Sequence, residues 1–229
     1  PDGADPLDVR YNVIQWIHRS TRGWSYGSSI VDPRTGEILK GHVSLGSLRI
    51  RQDYLIAQGL HQKPFGVQTA AEKKLLDMAL ARIRQLSAHE VGHTLGFAHN
   101  FAASTVNRNS VMDYPHMYVL DAEGDQLNFD QAYEIGIGQW DKVSVAYAYS
   151  DFSTSTNERD ALNAILERAN TLGYRYLTDS DARPVSSASA TAHLWDNGRD
   201  ITYELQRLLS LREKVINQFS LDNVAAQSS

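Results

Sequence analysis

The 229-residue chain contains no cysteine, which excludes disulfides, thiolate metal ligands and cysteine nucleophiles. Any metal site must therefore be built from His, Asp, Glu or Tyr. No apolar stretch approaches the roughly 20 residues needed to span a bilayer, and no basic leader with an apolar core opens the chain. The first residue is Pro1, not Met, so a processed chain or an excised segment is expected. A strong charge of one sign is missing as well. With 22 basic against 27 acidic residues, a net charge of −5 and no long run of either sign, the chain offers no electrostatic footprint for nucleic acid or an anionic membrane. What is present is ordinary: 42% hydrophobic and 21% charged residues, as in soluble globular domains. The length suits one domain plus a smaller appendage.

Along the chain, Arg10 to Ile17 is rich in β-branched and aromatic residues and predicts a buried strand. Two apolar runs, Ser28 to Val31 and Glu37 to Leu45, flank Asp32-Pro-Arg-Thr-Gly36, whose Pro and Gly suit a hairpin turn. Residues Ser47 to Gly59 predict a helix ended by Gly59, with a loop from His61 to Gln68. From Thr69 a long helix is expected, because Leu75, Leu76, Ala79, Leu80, Ile83, Leu86, Val91 and Leu95 recur at helical spacing and Gly96 can end it in a left-handed turn. Asn100 to Asn109 is polar and small, and Asp121 to Asp125 reads as a turn. Further helices are expected over Gln139 to Tyr149, Glu158 to Leu172 and Asp200 to Phe219. The serine- and threonine-rich Ser150 to Thr156 marks a boundary between residues 1–150 and a mainly helical extension, residues 151–229.

The residues that carry chemistry lie at the end of the long helix. In His89-Glu90-Val91-Gly92-His93 the i, i+4 spacing puts both imidazoles on one helical face, where they can bind one ion. Glu90, adjacent to the first ligand, can lie beside the metal without ligating it, which is the place for a general base acting on water. Gly96 can reverse the chain and bring His99 to the same ion. Three imidazoles leave a tetrahedral zinc with one open position, the mark of a catalytic site. A lone histidine is more often a surface or satisfied core residue, but chance occurrence of the full five-position pattern in a chain this long is on the order of one in a hundred thousand.

The run His89-Glu90-x-x-His93-x-x-Gly96-x-x-His99 resembles the extended zinc motif of the metzincin metallopeptidases, and Ser110-Val-Met112-Asp-Tyr114 resembles their methionine turn. The resemblance implies an α+β fold in which a small twisted sheet packs on a long active-site helix, followed by a mainly helical C-terminal part. It also implies Zn2+ held by His89, His93 and His99, with Met112 beneath them. Tyr114 would be an extra ligand, an oxyanion stabiliser or a packing residue. The blocks Asp8 to Trp16, Gly23 to Gly27 and Asp32 to Glu37 further resemble a bacterial group of large zinc metallopeptidases. That likeness, from Asp8 to about Asp200, implies a catalytic fragment and an extracytoplasmic location, secreted or periplasmic. Only the short Thr21 to Gly27 segment separates the first two strands, where metzincins place a helix, so the sheet is expected to be small. Asn100 stands where some branches carry an acidic residue.

The implied reaction is hydrolysis of peptide bonds in a peptide or protein substrate by zinc-activated water, with Glu90 as base. By resemblance, the run Glu37 to Leu45 is the candidate edge strand for substrate, against the ordinary alternative of an internal strand. Two rivals stay open: a catalytically inactive zinc-containing peptide- or protein-binding fragment, and a hydrolase of non-peptide amides with a deep pocket. Asp179 and Asp181 suggest a calcium site or, more simply, solvated turn carboxylates. His18, His42, His61, His116 and His193 have no motif around them. Trp195 to Gly198 predicts a turn with an exposed Trp beside the cleft.

Overall fold

The computed structural model describes residues 3–21, 23–61, 70–121, 127–187 and 189–221. The element order is mixed α+β: β1 (Val13–Ile17), β2 (Tyr26–Val31), β3 (Ile38–Gly46), α1 (Leu48–His61), α2 (Ala70–Thr94), a 3-10 turn (Phe101–Thr105), β4 (Leu120–Asp121), β5 (Leu127–Asn128), α3 (Gln139–Tyr149), α4 (Glu158–Thr171), α5 (Asp179–Ala182) and α6 (Ile201–Gln218). Two compact units divide it. The first lies within Pro1–Gly96, Met117–Ile135 and Thr202–Ser229, the second within Phe97–His116 and Gly136–Ile201.

In the first unit the three-stranded sheet has the order β1-β3-β2. The expected hairpin is present: β2 runs antiparallel to β3. Its turn closes through Asp32 N–H to Glu37 O (2.9 Å) and Gly36 N–H to Asp32 O (2.8 Å), with Gly36 at φ +77°, a conformation that glycine adopts without strain. β1 pairs parallel to β3 from Val13 opposite His42 to Ile17 opposite Gly46. β3 is therefore the central strand, paired on both sides from His42 to Ser44, and the expectation that the Glu37 to Leu45 run is an edge strand is corrected. Among the described residues the free edges belong to β1 and β2.

Glycines let the sheet sit close to α2. A Cβ on Gly27 would stand 1.9 Å from the Glu90 carbonyl oxygen, and one on Gly41 would stand 3.0 Å from Thr94 Cβ. Lys40, only 2% exposed, turns its ammonium to the carbonyls of Asp8 (3.0 Å) and Tyr11. Those charge-assisted bonds tie the N-terminal segment to β3 and satisfy a buried cation.

The remaining core of this unit joins Ala57, Leu75, Met78, Met117, Val119, Phe129 and Tyr133, with Leu211 and Val215 of α6 packed against it. α1 continues through Gly59 to His61, so that glycine is not the stop expected of it. The 62–68 part of the expected loop and the 122–125 part of the expected turn lie outside the described residues. In α2 the buried face is Leu75, Met78, Ala79, Arg82, Ile83, Gln85, His89 and Glu90, whereas Leu76 and Leu95 are exposed. No described helix is long and apolar enough to cross a membrane.

The second unit holds α3, α4 and α5, and Ser150 to Thr156 falls within it between α3 and α4. Asn157 caps α4 by accepting from Asp160 N–H at 3.4 Å, and an Asn at that position satisfies a donor that the helix start leaves open.

Candidate metal centre

α2 carries His89 and Glu90 into its buried face, each 4% exposed, and His93 follows one turn later. Helical spacing brings the Nε2 atoms of His89 and His93 to 3.1 Å. Two imidazoles on one tetrahedral zinc, with Zn–N bonds of about 2.0–2.1 Å, would stand about 3.4 Å apart, so the backbone has already set this pair near ligand spacing. The chain then leaves the helix: Gly96 takes φ +87° and its N–H donates to His93 O at 3.0 Å. One nitrogen of each of His89, His93 and His99 lies within 4.8 Å of the others. Among the described residues this is the one cluster of His, Asp or Glu side chains placed to hold a metal. Three neutral imidazoles with no thiolate are a donor set that zinc accepts, and they leave a coordination position for substrate chemistry.

Burial pushes the Glu90 carboxyl up to about 7, against the opposing effects of a backbone hydrogen bond from Gly27 and the charge of Arg82. A carboxyl balanced near neutrality suits proton transfer in both directions. Arg82 is itself 5% exposed on α2 and lies over the Tyr133 ring at 5.4 Å. Burial lowers its pKa, while Tyr133, Asp53 and Glu90 favour its charge.

In the second unit His99 Nδ1 stands 2.6 Å from Asp179 Oδ2, and Arg183 Nη1 donates to Asp179 Oδ1 at 3.1 Å. Asn100, fully buried, joins three segments. Its N–H donates to Met112 O (2.9 Å), its Nδ2 donates to Arg175 O (2.9 Å), and its Oδ1 accepts from Ala102 N (3.2 Å) and Leu177 N (3.1 Å). The residue that replaces an acidic one in the motif is thus a connector, and the carboxylate facing His99 comes from 80 positions downstream.

The expected methionine turn is held from behind by Asp141. This buried carboxylate accepts from Ser110 Oγ (2.5 Å), Val111 N (2.8 Å) and Gly138 N (2.6 Å), and Ser110 Oγ accepts from Met112 N at 3.0 Å. Met112 is 3% exposed. The Tyr114 ring lies 4.5 Å from the His99 ring, and the indole of Trp195 stacks on it at 5.1 Å and 16°. Trp195 N–H donates to Tyr114 O at 3.0 Å, and Trp195 sits at φ +63°, an uncommon conformation for a bulky residue. Asp113, between Met112 and Tyr114 in the chain, is 3% exposed. Burial raises its carboxyl to about 8, with Asp196 adding to the rise and backbone hydrogen bonds from Tyr114 and Ser104 opposing it.

Sequence reasoning missed Gly27, Arg82, Asp141 and the partner of His99. For Asp179 the sequence suggests only calcium or a solvated turn. Its oxygens instead face His99 and Arg183, while Asp181 accepts from Thr178 N–H at 3.0 Å. Of the other histidines, His42 bonds Gln15 (3.0 Å) and His18 bonds Ser47 (2.9 Å).

A family model described as Met-zincin matches residues 71–229. No curated protein and no solved structure matches the chain.

Proposed function

The chain belongs to the Met-zincin family, and from that membership and the geometry of the histidine cluster we propose that it is a zinc-dependent metalloendopeptidase. The observation that carries this reading is the convergence of His89, His93 and His99 beside a buried carboxyl, Glu90. His89, His93 and His99 would hold the zinc, which when bound would supply a Lewis acid for the scissile carbonyl and acidify water. Glu90 takes a proton from the attacking water and returns it to the leaving amine. Gly27 N–H holds the Glu90 carboxyl, and the charge of Arg82 favours its ionised form. Tyr114, packed between His99 and Trp195, donates its hydroxyl to the developing oxyanion.

An extended peptide fits the outer edge of β2. This edge strand carries Gly27, which lies against Glu90, and main-chain pairing there would hold substrate next to the base. Glu90 also speaks against a module that only binds, since holding a metal needs no base beside the first ligand.

The test is cleavage of a mixed peptide library by the parent with and without a zinc chelator. Endoproteolysis that is lost on chelation and restored by zinc is the expected result. A zinc-loaded parent that cuts no peptide would sink the reading.

A further inference from the structure

His99 is the one member of the cluster that no helix aims. It follows the turn at Gly96, where the chain has left α2. Its Nδ1 nevertheless faces Asp179 Oδ2 at 2.6 Å, the short separation of a charge-assisted bond. Asp179 opens the four-residue α5. Its second oxygen accepts from Arg183 Nη1 at 3.1 Å, so the carboxylate is gripped on both sides. The ring of Phe101 lies 5.3 Å from that of His99 and the ring of Tyr114 4.5 Å, so two aromatic side chains pack against the imidazole.

We infer that Asp179, braced by Arg183, is a positioning residue that fixes His99 in the Nδ1–H tautomer and presents Nε2 to the metal. A carboxylate can only accept, so a proton must sit on Nδ1, and in the neutral imidazole that a metal requires the lone pair is then on Nε2. Carboxylate partners of this kind orient ligand histidines and raise their basicity, and losing one weakens metal binding by roughly 10- to 100-fold. The inference rests on the zinc reading above for its consequence, but the tautomer exists with or without metal.

The experiment uses the whole chain and two readouts. Zinc affinity is measured by competition with a chromophoric chelator for the parent, Asp179→Ala, Asp179→Asn and Asp181→Ala. Nitrogen-15 NMR of the metal-free proteins reports the His99 tautomer. Asp179→Ala is expected to weaken zinc binding about 10- to 100-fold and to shift His99 towards a mixture of tautomers. Asp179→Asn, which keeps size and an acceptor, is expected to fall between it and the parent. Asp181→Ala removes a contact that stabilises α5 without touching His99, and should leave both readouts near the parent.

Parent-like zinc affinity and an unchanged tautomer in Asp179→Ala would overturn the inference. So would an equal loss in Asp181→Ala, which would reduce Asp179 to a structural part of α5. A parent that binds no zinc but shows the Asp179-dependent tautomer would sink the metal reading while leaving the positioning contact standing.

Discussion

Gly27 of β2 and Glu90 of α2 approach so closely that a single added methyl would stand 1.9 Å from the Glu90 carbonyl oxygen. The same glycine supplies the backbone hydrogen bond that opposes the rise of the Glu90 pKa. One residue without a side chain thus sets both the seating of the sheet and the state of the base. Gly27→Ala should cost about 3 kcal/mol or more, because backbone rather than a mobile side chain blocks the methyl. Gly41→Ala, where the nearest atom is Thr94 Cβ at 3.0 Å, should cost less. Urea unfolding of the two variants checks the order.

Asp141 is the hinge-pin of the methionine turn, accepting from Ser110, Val111 and Gly138. Asp141→Ala would leave buried donors without partners, at about 1–3 kcal/mol for each one that water cannot reach. A loss of about 3 kcal/mol in unfolding free energy, accompanied by weaker zinc binding, is expected from denaturant titration and chelator competition.

Burial makes Asp113 a source of pH dependence. Its folded-state pKa is raised from 3.8 to about 8, so the fold prefers the protonated form. The stability this group contributes is complete below about pH 4, declines as pH rises, and is gone once pH passes about 8. The slope from this one group is at most about 1.4 kcal/mol per pH unit. Asp113→Asn keeps the acceptor oxygen and removes the titration, so its urea midpoint should lie above that of the parent at pH 8 to 9. An identical pH profile in parent and variant would contradict this.

Much of this architecture is written locally. The hairpin follows from Pro33 and Gly36, the long α2 from its apolar spacing, and the ligand pair from i, i+4 geometry on that helix. Gly96 gives the reason His99 can leave the helix and rejoin the pair. Where a feature depends on distant partners, the sequence is mute. Which strand is internal is decided by β1 pairing parallel to β3, and no residue in Glu37 to Leu45 signals that. Asp179 meets His99 across 80 positions, and its only local sign is the i, i+4 spacing to Arg183. Arg82 and Gln85 occupy the buried stripe of α2, where periodicity counts only apolar residues. Gly59 illustrates the opposite error: a glycine is tolerated inside a helix when neighbours such as Ala57 and Gln58 are buried, so tertiary packing overrides the local stop signal.

The most direct measurement pairs zinc content with peptide cleavage in the parent, Glu90→Ala and His93→Ala. Stoichiometric zinc is expected in the parent and in Glu90→Ala, with cleavage by the latter reduced roughly 10²- to 10⁴-fold for loss of the base. His93→Ala is expected to lose much of both. A parent without stoichiometric zinc, or a Glu90→Ala variant that cleaves like the parent, would contradict the account.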